Sequence, residues 1–159
     1  MLKEVIWYIM ENQDKYIDAL TRHIRMDSIA LAVCLLTAIP LGYLCAKSKP
    51  AEVIFLNGAN LLKIIPTIAK FLLLMPFLGL GEKPALVALV LLAMPTVLIN
   101  TMTGIRSVEP QILECARGMG MGRIRICMTV EFPLAASYIL NGVRMAVIEV
   151  VAGTTVAAY

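Results

Sequence analysis

The stretch Glu-Cys-Ala-Arg-Gly-Met-Gly, residues 114–120, lies with Pro133 between two long apolar segments. The segment before it, residues 85–102, carries no charge, and Asn100 is its most polar residue. The segment after it, residues 134–158, has three strongly polar side chains, those of Asn141, Arg144 and Glu149. Because a helix of about 20 apolar residues crosses the roughly 30 Å of hydrocarbon in a bilayer, the pattern predicts two membrane helices joined by a polar loop.

The composition of the whole chain is also that of a membrane protein. Apolar residues make up 60% of it, above the roughly 45–50% of soluble proteins, and the mean hydropathy is +0.83. Residues 29–46 carry no charge. Residues 53–80 are also long enough to cross a membrane, but they contain Pro66 and Pro76. The sequence predicts an all-α membrane domain over residues 27–159, with a loop at 107–133 and spans at about 28–46, 53–80, 85–103 and 134–157.

The first 26 residues contain charged side chains throughout, so they lack the uninterrupted apolar core of a cleavable signal peptide. Their apolar residues nevertheless follow helical spacing at Leu2, Val5, Ile6, Ile9 and Met10. The pattern predicts an amphipathic helix over residues 1–26 that lies along the membrane surface. A helix packed on the bundle would have the same pattern, and the two alternatives stay open.

The charges of the short loops predict the orientation, because loops rich in Lys and Arg remain in the cytoplasm. The turn after the first span and the 106–125 loop contain six basic residues, which are Lys47, Lys49, Arg106, Arg117, Arg123 and Arg125. The 79–84 turn between them has only Lys83. The N-terminus is therefore predicted to be external and the 107–133 loop cytoplasmic.

Within that loop the sequence indicates two short helices joined by a glycine turn. Ser107 is predicted to be the N-cap of the first helix and Pro110 to lie in its first turn, where a missing N–H is tolerated. Gly118 and Gly120 are predicted to end this helix, and the second helix to end before Pro133. The apolar sides of the two helices consist of Ile112, Leu113 and Ala116, and of Ile124, Cys127 and Met128. A groove on a partner protein is expected to accept such a side.

These residues resemble the coupling loop of ABC importer permeases, whose pattern is Glu-Ala-Ala, three residues, Gly, nine residues, then Ile-x-Leu-Pro. Glu114, Ala116 and Gly120 match, residues 130–133 close the pattern with Val-Glu-Phe-Pro, and Cys115 replaces one small residue with another. The resemblance implies a polytopic all-α helix bundle with a cytoplasmic coupling helix. It also implies that the residues that couple to an ATPase are Ile112, Leu113, Glu114, Ala116, Arg117, Gly120 and Pro133.

Further segments are similar to one branch of these permeases, the osmoprotectant importers, at residues 23–26, 39–42, 65–69, 100–105 and 116–121. The resemblance implies ATP-driven uptake of glycine betaine, choline or carnitine by a multi-pass protein of the cell membrane. The implied partners are cytoplasmic ATPase subunits, an external substrate-binding protein, a second permease copy and membrane lipid. Members of that branch continue through a Gly-rich stretch and a last span, so that span is expected to be absent here.

Polar residues inside the predicted spans are candidates for the translocation pathway, because they are costly in lipid. In the second span they lie within about 140° of one another on a helical wheel, at Asn57, Asn60, Lys63, Thr67 and Lys70. Pro66 is expected to kink this helix. In the last span, Arg144 and Glu149 are each expected to find a partner on another helix, and Asn141 is expected to share the partner of Arg144. An equally open alternative is that these groups join helices or subunits without touching substrate.

Other classes of function fit less well. The chain contains no nucleotide-binding Gly-x-x-x-x-Gly-Lys-Ser/Thr motif, no Cys-x-x-Cys pair and only one His, so neither ATP hydrolysis nor a zinc site is expected. No catalytic residue, cofactor, metal or nucleic acid is predicted. The alternatives are an ABC permease for an amino acid or a small anion, such as nitrate or a sulfonate, and a secondary transporter. A membrane enzyme is disfavoured because no nucleophile–base pair is evident.

Overall fold

The structure is a computed structural model that describes residues 13–157, and the predicted all-α fold is confirmed in it. Its helices in chain order are α1 (Gln13–Lys47), α2 (Lys49–Ile64), α3 (Thr67–Leu78), α4 (Glu82–Arg106), α5 (Pro110–Gly118), α6 (Arg123–Ile126), a π-helix (Cys127–Glu131) and α7 (Phe132–Ala157). The predicted apolar side of the N-terminal helix, from Leu2 to Met10, lies outside the described residues. Residues 13–26 belong to the same continuous helix as the first predicted span.

Three helical segments are long and apolar enough to cross a membrane: Gln13–Lys47, Glu82–Arg106 and Arg123–Val156. The pair α2 and α3 would make a fourth crossing, but its two halves meet at an angle of 105°. The central helix is α4, and both α1 and α7 pack along it. Side chains of α4 such as Leu89, Val97 and Leu98 are fully buried there.

Small residues explain how closely α1 approaches α4. The buried positions of α1 recur every three or four residues at Asp27, Ala30, Cys34, Ala38, Gly42 and Cys45. At Gly42 an added Cβ would lie 2.8 Å from the carbonyl oxygen of Leu98 and 2.8 Å from the Cβ of Thr101. Membrane helices associate through van der Waals contact of this kind, because lipid supplies no hydrophobic force between them.

The contact between α4 and α7 depends on small residues of both helices. A Cβ at Gly104 of α4 would lie 2.7 Å from the Cβ of Tyr138, and one at Gly142 of α7 would lie 2.7 Å from the Cβ of Asn100. The three helices α1, α4 and α7 therefore form a tightly packed unit.

The expected bend at Pro66 is present and is larger than a kink. Ile65 has an extended conformation with ψ of 124°, as the proline ring favours for the residue before it. Since Thr67 and Lys70 belong to α3 while Asn57, Asn60 and Lys63 belong to α2, the prediction of one continuous polar side is wrong. The helical wheel assumed a straight helix, and the proline removes that assumption.

The segment between α4 and α7, residues 107–131, is called the coupling segment below. The N-cap of α5 is Glu109 and not Ser107, whose hydroxyl instead donates to the carbonyl of Gly104 at 2.8 Å. Pro110 begins α5, as predicted. Gly120 has a φ of +77° and forms the turn, whereas Gly118 remains helical.

The second half of the coupling segment is continuous with the last membrane helix. Residues from Arg123 to Val156 form one helical rod, so the prediction of a helix end before Pro133 is wrong. The π-helix before Pro133 explains the continuity, because the N–H of Phe132 donates to the carbonyl of Cys127, five residues back. The wider turn accommodates a proline that would otherwise break an α-helical hydrogen bond and clash with a carbonyl.

Candidate coupling and translocation sites

The predicted coupling residues do not all lie on the surface. Glu114, Arg117 and Gly120 are exposed, and so is Ile112. Leu113 is half-buried, and Ala116 is only 2% exposed. Pro133 is exposed in the first turn of α7. The predicted apolar side of α5 is therefore divided, with Ala116 packed inward and Ile112 available to a partner.

The most exposed apolar side chains of the coupling segment lie on either side of the Gly120 turn. Met119 is 75% exposed and Ile124 is 79% exposed, and Met128 lies one turn further along the same helical rod as Ile124. Ile124 and Met128 line an open groove of about 790 Å³, flanked by Arg123 and Arg125. We call the side chains of Ile112, Met119, Ile124 and Met128 the docking surface. Its groove is apolar and is bordered by the positively charged side chains of Arg123 and Arg125.

The end of α4, where the coupling segment begins, is bound by an ion pair. Arg106 donates to both carboxylate oxygens of Glu52 on α2, at 2.7 and 2.6 Å. The same guanidinium donates to the carbonyl oxygen of Cys45 near the end of α1, at 3.1 Å. Bidentate pairs of this geometry are the strong ones among charge-assisted hydrogen bonds.

The start of α7, where the coupling segment ends, is bound to α1. The Glu131 carboxylate is buried, with the residue 3% exposed, and it forms an ion pair with Lys47. The Tyr43 hydroxyl donates to its other oxygen at 3.0 Å, and the Tyr43 ring stacks on Phe132 at a centroid distance of 5.8 Å. Sequence reasoning missed Glu131, although a carboxylate two residues before the motif proline was a signal that could have drawn attention to it.

The candidate pathway residues on α2 point out of the chain. Asn57, Asn60 and Lys63 are exposed, and within residues 13–157 their side chains make no hydrogen bond or ion pair. Pro66 is exposed and Thr67 is half-buried. The arrangement presents polar side chains to whatever packs against this side of the molecule.

On α7 the three candidate residues differ in their surroundings. Asn141 donates to the Asn100 side chain at 3.4 Å, and Asn100 in turn donates to the carbonyl of Thr96 at 2.8 Å. Arg144 is exposed and has no side-chain partner within the described part of the chain. Glu149 accepts hydrogen bonds from the Thr96 hydroxyl at 2.8 and 3.0 Å.

Glu149 belongs to a polar cluster inside the bundle. Lys70 of α3 is 5% exposed and lies close enough to interact electrostatically with Glu149. Cys34 of α1 is also near this carboxylate. Within the described residues no Lys70 nitrogen lies within 4.0 Å of a Glu149 oxygen, so the two side chains form no direct ion pair. The cluster joins α1, α3, α4 and α7.

The end of the bundle away from Glu131 contains a second buried carboxylate, that of Asp27. Asp27 accepts a hydrogen bond from Thr154 of α7 and lies 3.4 Å from His23 Nε2. An open cavity of about 1140 Å³ adjoins it, with apolar walls from α3 and charged residues of both signs from α1 and α4. Within residues 13–157, no group of three His, Cys, Asp or Glu residues could hold a metal ion. Sequence reasoning missed Asp27, because its partner Thr154 lies 127 residues away along the chain.

Comparison of the sequence with known proteins finds similar permease proteins. The carnitine transport permease protein OpuCB of Listeria monocytogenes is 30% identical over 155 residues, which are 98% of this chain and 71% of that protein. The choline transport system permease protein OpuBB of Bacillus subtilis is 30% identical over 99% of this chain and 73% of its own length. The osmoprotectant import permease protein OsmW of Salmonella typhimurium is 32% identical over 91% of this chain and 70% of its own length.

Residues 38–159 match the family described as binding-protein-dependent transport system inner membrane component. The matched region contains the coupling segment, α4 and α7. The predicted resemblance to ABC importer permeases and the predicted location in the cell membrane are confirmed. The chain belongs to the family of inner-membrane components of binding-protein-dependent transport systems.

Proposed function

We propose that this chain is the permease subunit of an ATP-driven importer of quaternary-ammonium osmoprotectants such as glycine betaine, choline or carnitine. The observation that carries the proposal is the docking surface, a set of exposed apolar side chains on both sides of a positive-φ glycine, in a chain whose relatives are named as carnitine, choline and osmoprotectant permeases. In this proposal an external binding protein delivers the substrate.

The docking surface supports a separate ATPase subunit as the cytoplasmic partner. Short helices that expose large apolar side chains are typical of segments that enter a groove on another protein. Met and Ile supply the apolar contact, and Arg123 and Arg125 supply charge at the border. Movement of the ATPase would be transmitted through the rod formed by α6, the π-helix and α7.

The exposed polar residues of the membrane helices support a second permease copy. Exposure of Asn60, Lys63 and Arg144 to lipid would be costly, because a charge at the centre of a membrane helix costs about 2.5–3.5 kcal/mol on insertion scales. Packing of two copies around a watery pathway removes this cost. The remaining apolar surface, including Leu36 and Ile148, would contact membrane lipid.

The experiment is uptake into proteoliposomes that contain the permease with its ATPase, supplied with ATP inside and the binding protein outside. We expect uptake of labelled choline, carnitine or glycine betaine, and no uptake of a labelled amino acid or of nitrate. Uptake of one of the latter would favour the alternative substrate class. Uptake that needs neither ATP nor the ATPase would contradict the proposal and favour a secondary transporter.

The partner is tested by substitution in the docking surface. Ile124→Asp and Met119→Asp should abolish copurification of the ATPase, because each places a charge in the centre of an apolar contact. Gln111→Asp is the matched control, since Gln111 is exposed on α5 but lies outside the docking surface. Equal copurification with Ile124→Asp and Gln111→Asp would show that the ATPase binds elsewhere.

A further inference from the structure

Both ends of the coupling segment are bound to one short part of the molecule, the turn between α1 and α2. We call this part the corner and define it by Tyr43, Cys45, Lys47 and Glu52. Arg106, the residue directly before the coupling segment, contacts Glu52 and the carbonyl of Cys45. The end at Glu131 contacts Tyr43 and Lys47. The corner therefore bridges the two positions at which the coupling segment leaves and rejoins the membrane helices.

The contact at Glu131 is hard to break. The carboxylate is almost fully buried, and a buried charge that loses its partner is strongly destabilised. Two groups of α1 meet it at once, an ammonium and a hydroxyl, and the Tyr43–Phe132 stack lies directly beside them. Separation of α7 from α1 at this end would leave the carboxylate unpaired.

The contact at Arg106 has a second role. Its guanidinium donates a hydrogen bond to a carbonyl oxygen in the last turn of α1, where carbonyls lack partners within the helix. The same guanidinium binds Glu52 through two hydrogen bonds. The planar fork of Arg suits this double contact, and a lysine could not reproduce it. One side chain of α4 thus binds the end of α1 to the start of α2.

The two contacts restrict how the coupling segment can move. Its second half is continuous with α7, and its first helix, α5, has its N-cap Glu109 only three residues after Arg106. A displacement of the docking surface therefore acts on the corner from both sides. The corner leads directly into α2, which ends at the 105° bend before α3.

We infer that Glu131 and Arg106 are positioning residues that fix the coupling segment to the corner, so that movement imposed by the ATPase displaces α1 and α2. The inference rests on the proposed function and adds the route by which the cytoplasmic movement reaches the membrane helices. Neither residue touches the ATPase or the substrate in this scheme. Their effect is on the amount of substrate moved for each ATP hydrolysed.

The test is the ratio of substrate transported to ATP hydrolysed, measured in proteoliposomes with the assembled transporter. Glu131→Gln and Lys47→Met should lower this ratio about tenfold, within the range typical of coupling between distant sites, while ATPase copurification is retained. Lys49→Met is the matched control, because Lys49 is an exposed lysine two residues away with no ion pair among the described residues. It should leave the ratio unchanged.

A charge exchange separates positioning from simple loss of folding. The single variants Lys47→Glu and Glu131→Lys should each lower the ratio of transport to ATP hydrolysis. The double variant, which has both changes, restores an ion pair of reversed polarity and should recover a large part of that ratio. A double variant that assembles normally and stays as uncoupled as the single variants would overturn the inference. So would a normal ratio in Glu131→Gln.

The outcome for the unaltered protein distinguishes this inference from the proposed function. If the wild-type complex transports an osmoprotectant with ATP and Glu131→Gln does the same with an unchanged ratio, the inference fails and the proposed function stands. If the wild-type complex neither binds an ATPase nor transports, both fail.

Discussion

At the scale of single residues, two glycines of the coupling segment have different structural requirements. Gly120 has a φ of +77°, whereas Gly118 is helical, and a Cβ would meet no atom within 4 Å at either position. Gly120→Ala should therefore destabilise the turn by about 1 kcal/mol or more through backbone strain alone. Gly118→Ala should be neutral or slightly stabilising. ATPase copurification from detergent measures the difference, and equal binding by the two variants would contradict the assigned role of the turn.

Arg144 is the residue whose role depends most on the partner copy. We expect Arg144→Leu to lower uptake or dimer yield strongly, because the polar groups that the second copy supplies to the guanidinium would face an apolar side chain. Arg144→Lys should retain part of the activity, since the charge remains while the bidentate geometry is lost. Uptake assays and size-exclusion chromatography of the full transporter provide the measurement. Normal assembly and uptake with Arg144→Leu would place this side chain outside the interface and the pathway.

At the scale of helices, the packing of α1 on α4 makes a stability prediction. Gly42→Ala should destabilise the protein by about 1–3 kcal/mol, because the added methyl group would overlap backbone and side-chain atoms of α4. Gly58→Ala is the control, since a Cβ at that position of α2 would meet nothing within 4 Å. Thermal unfolding in detergent should rank the variants, with Gly42→Ala lowest. A Gly42→Ala protein as stable as wild type would show that α1 shifts freely along α4.

The helices themselves could be predicted from hydropathy, and the coupling segment from the spacing of Glu114, Gly120 and Pro133. The polar side predicted for residues 57–70 failed because the extended conformation before Pro66 divides the helix into two directions. The buried contacts of Asp27 and Glu131 join positions 127 and 84 residues apart. A single sequence contains no local pattern for such pairs, because they arise from the arrangement of whole helices.

At the scale of the whole molecule, the orientation in the membrane stays a prediction that the cysteines can test. Cys34 and Cys45 are buried, Cys115 is exposed and Cys127 is half-buried. In a variant without Cys34 and Cys45, a membrane-impermeant thiol reagent should modify Cys115 only after the cells are made permeable, and Cys127 more slowly. Labelling of Cys115 in intact cells would mean that the coupling segment is external.

The molecule consists of a tightly packed part and a more loosely attached part. Glycine contacts bind α1, α4 and α7 together, whereas α2 is mostly exposed, and the polar side chains toward its bent end have no partner among residues 13–157. Interfaces between closely packed helices resist sliding, since any shift opens voids or creates overlap. During transport α1, α4 and α7 are therefore expected to move together, and rearrangement within the chain is expected to concentrate in α2, α3 and the bend between them.

The π-helix before Pro133 has a consequence for the direction of the rod. Its wider turn holds one additional residue, so the helical residues on either side keep nearly the register of an uninterrupted α-helix. Deletion of Thr129 would return the turn to α-helical spacing, where the Pro133 ring clashes with the carbonyl four residues before it and kinks the rod. The docking surface would then be tilted relative to α7, although every one of its side chains is kept. Uptake should be lost, and uptake at the wild-type level would show that the ATPase tolerates a bent rod.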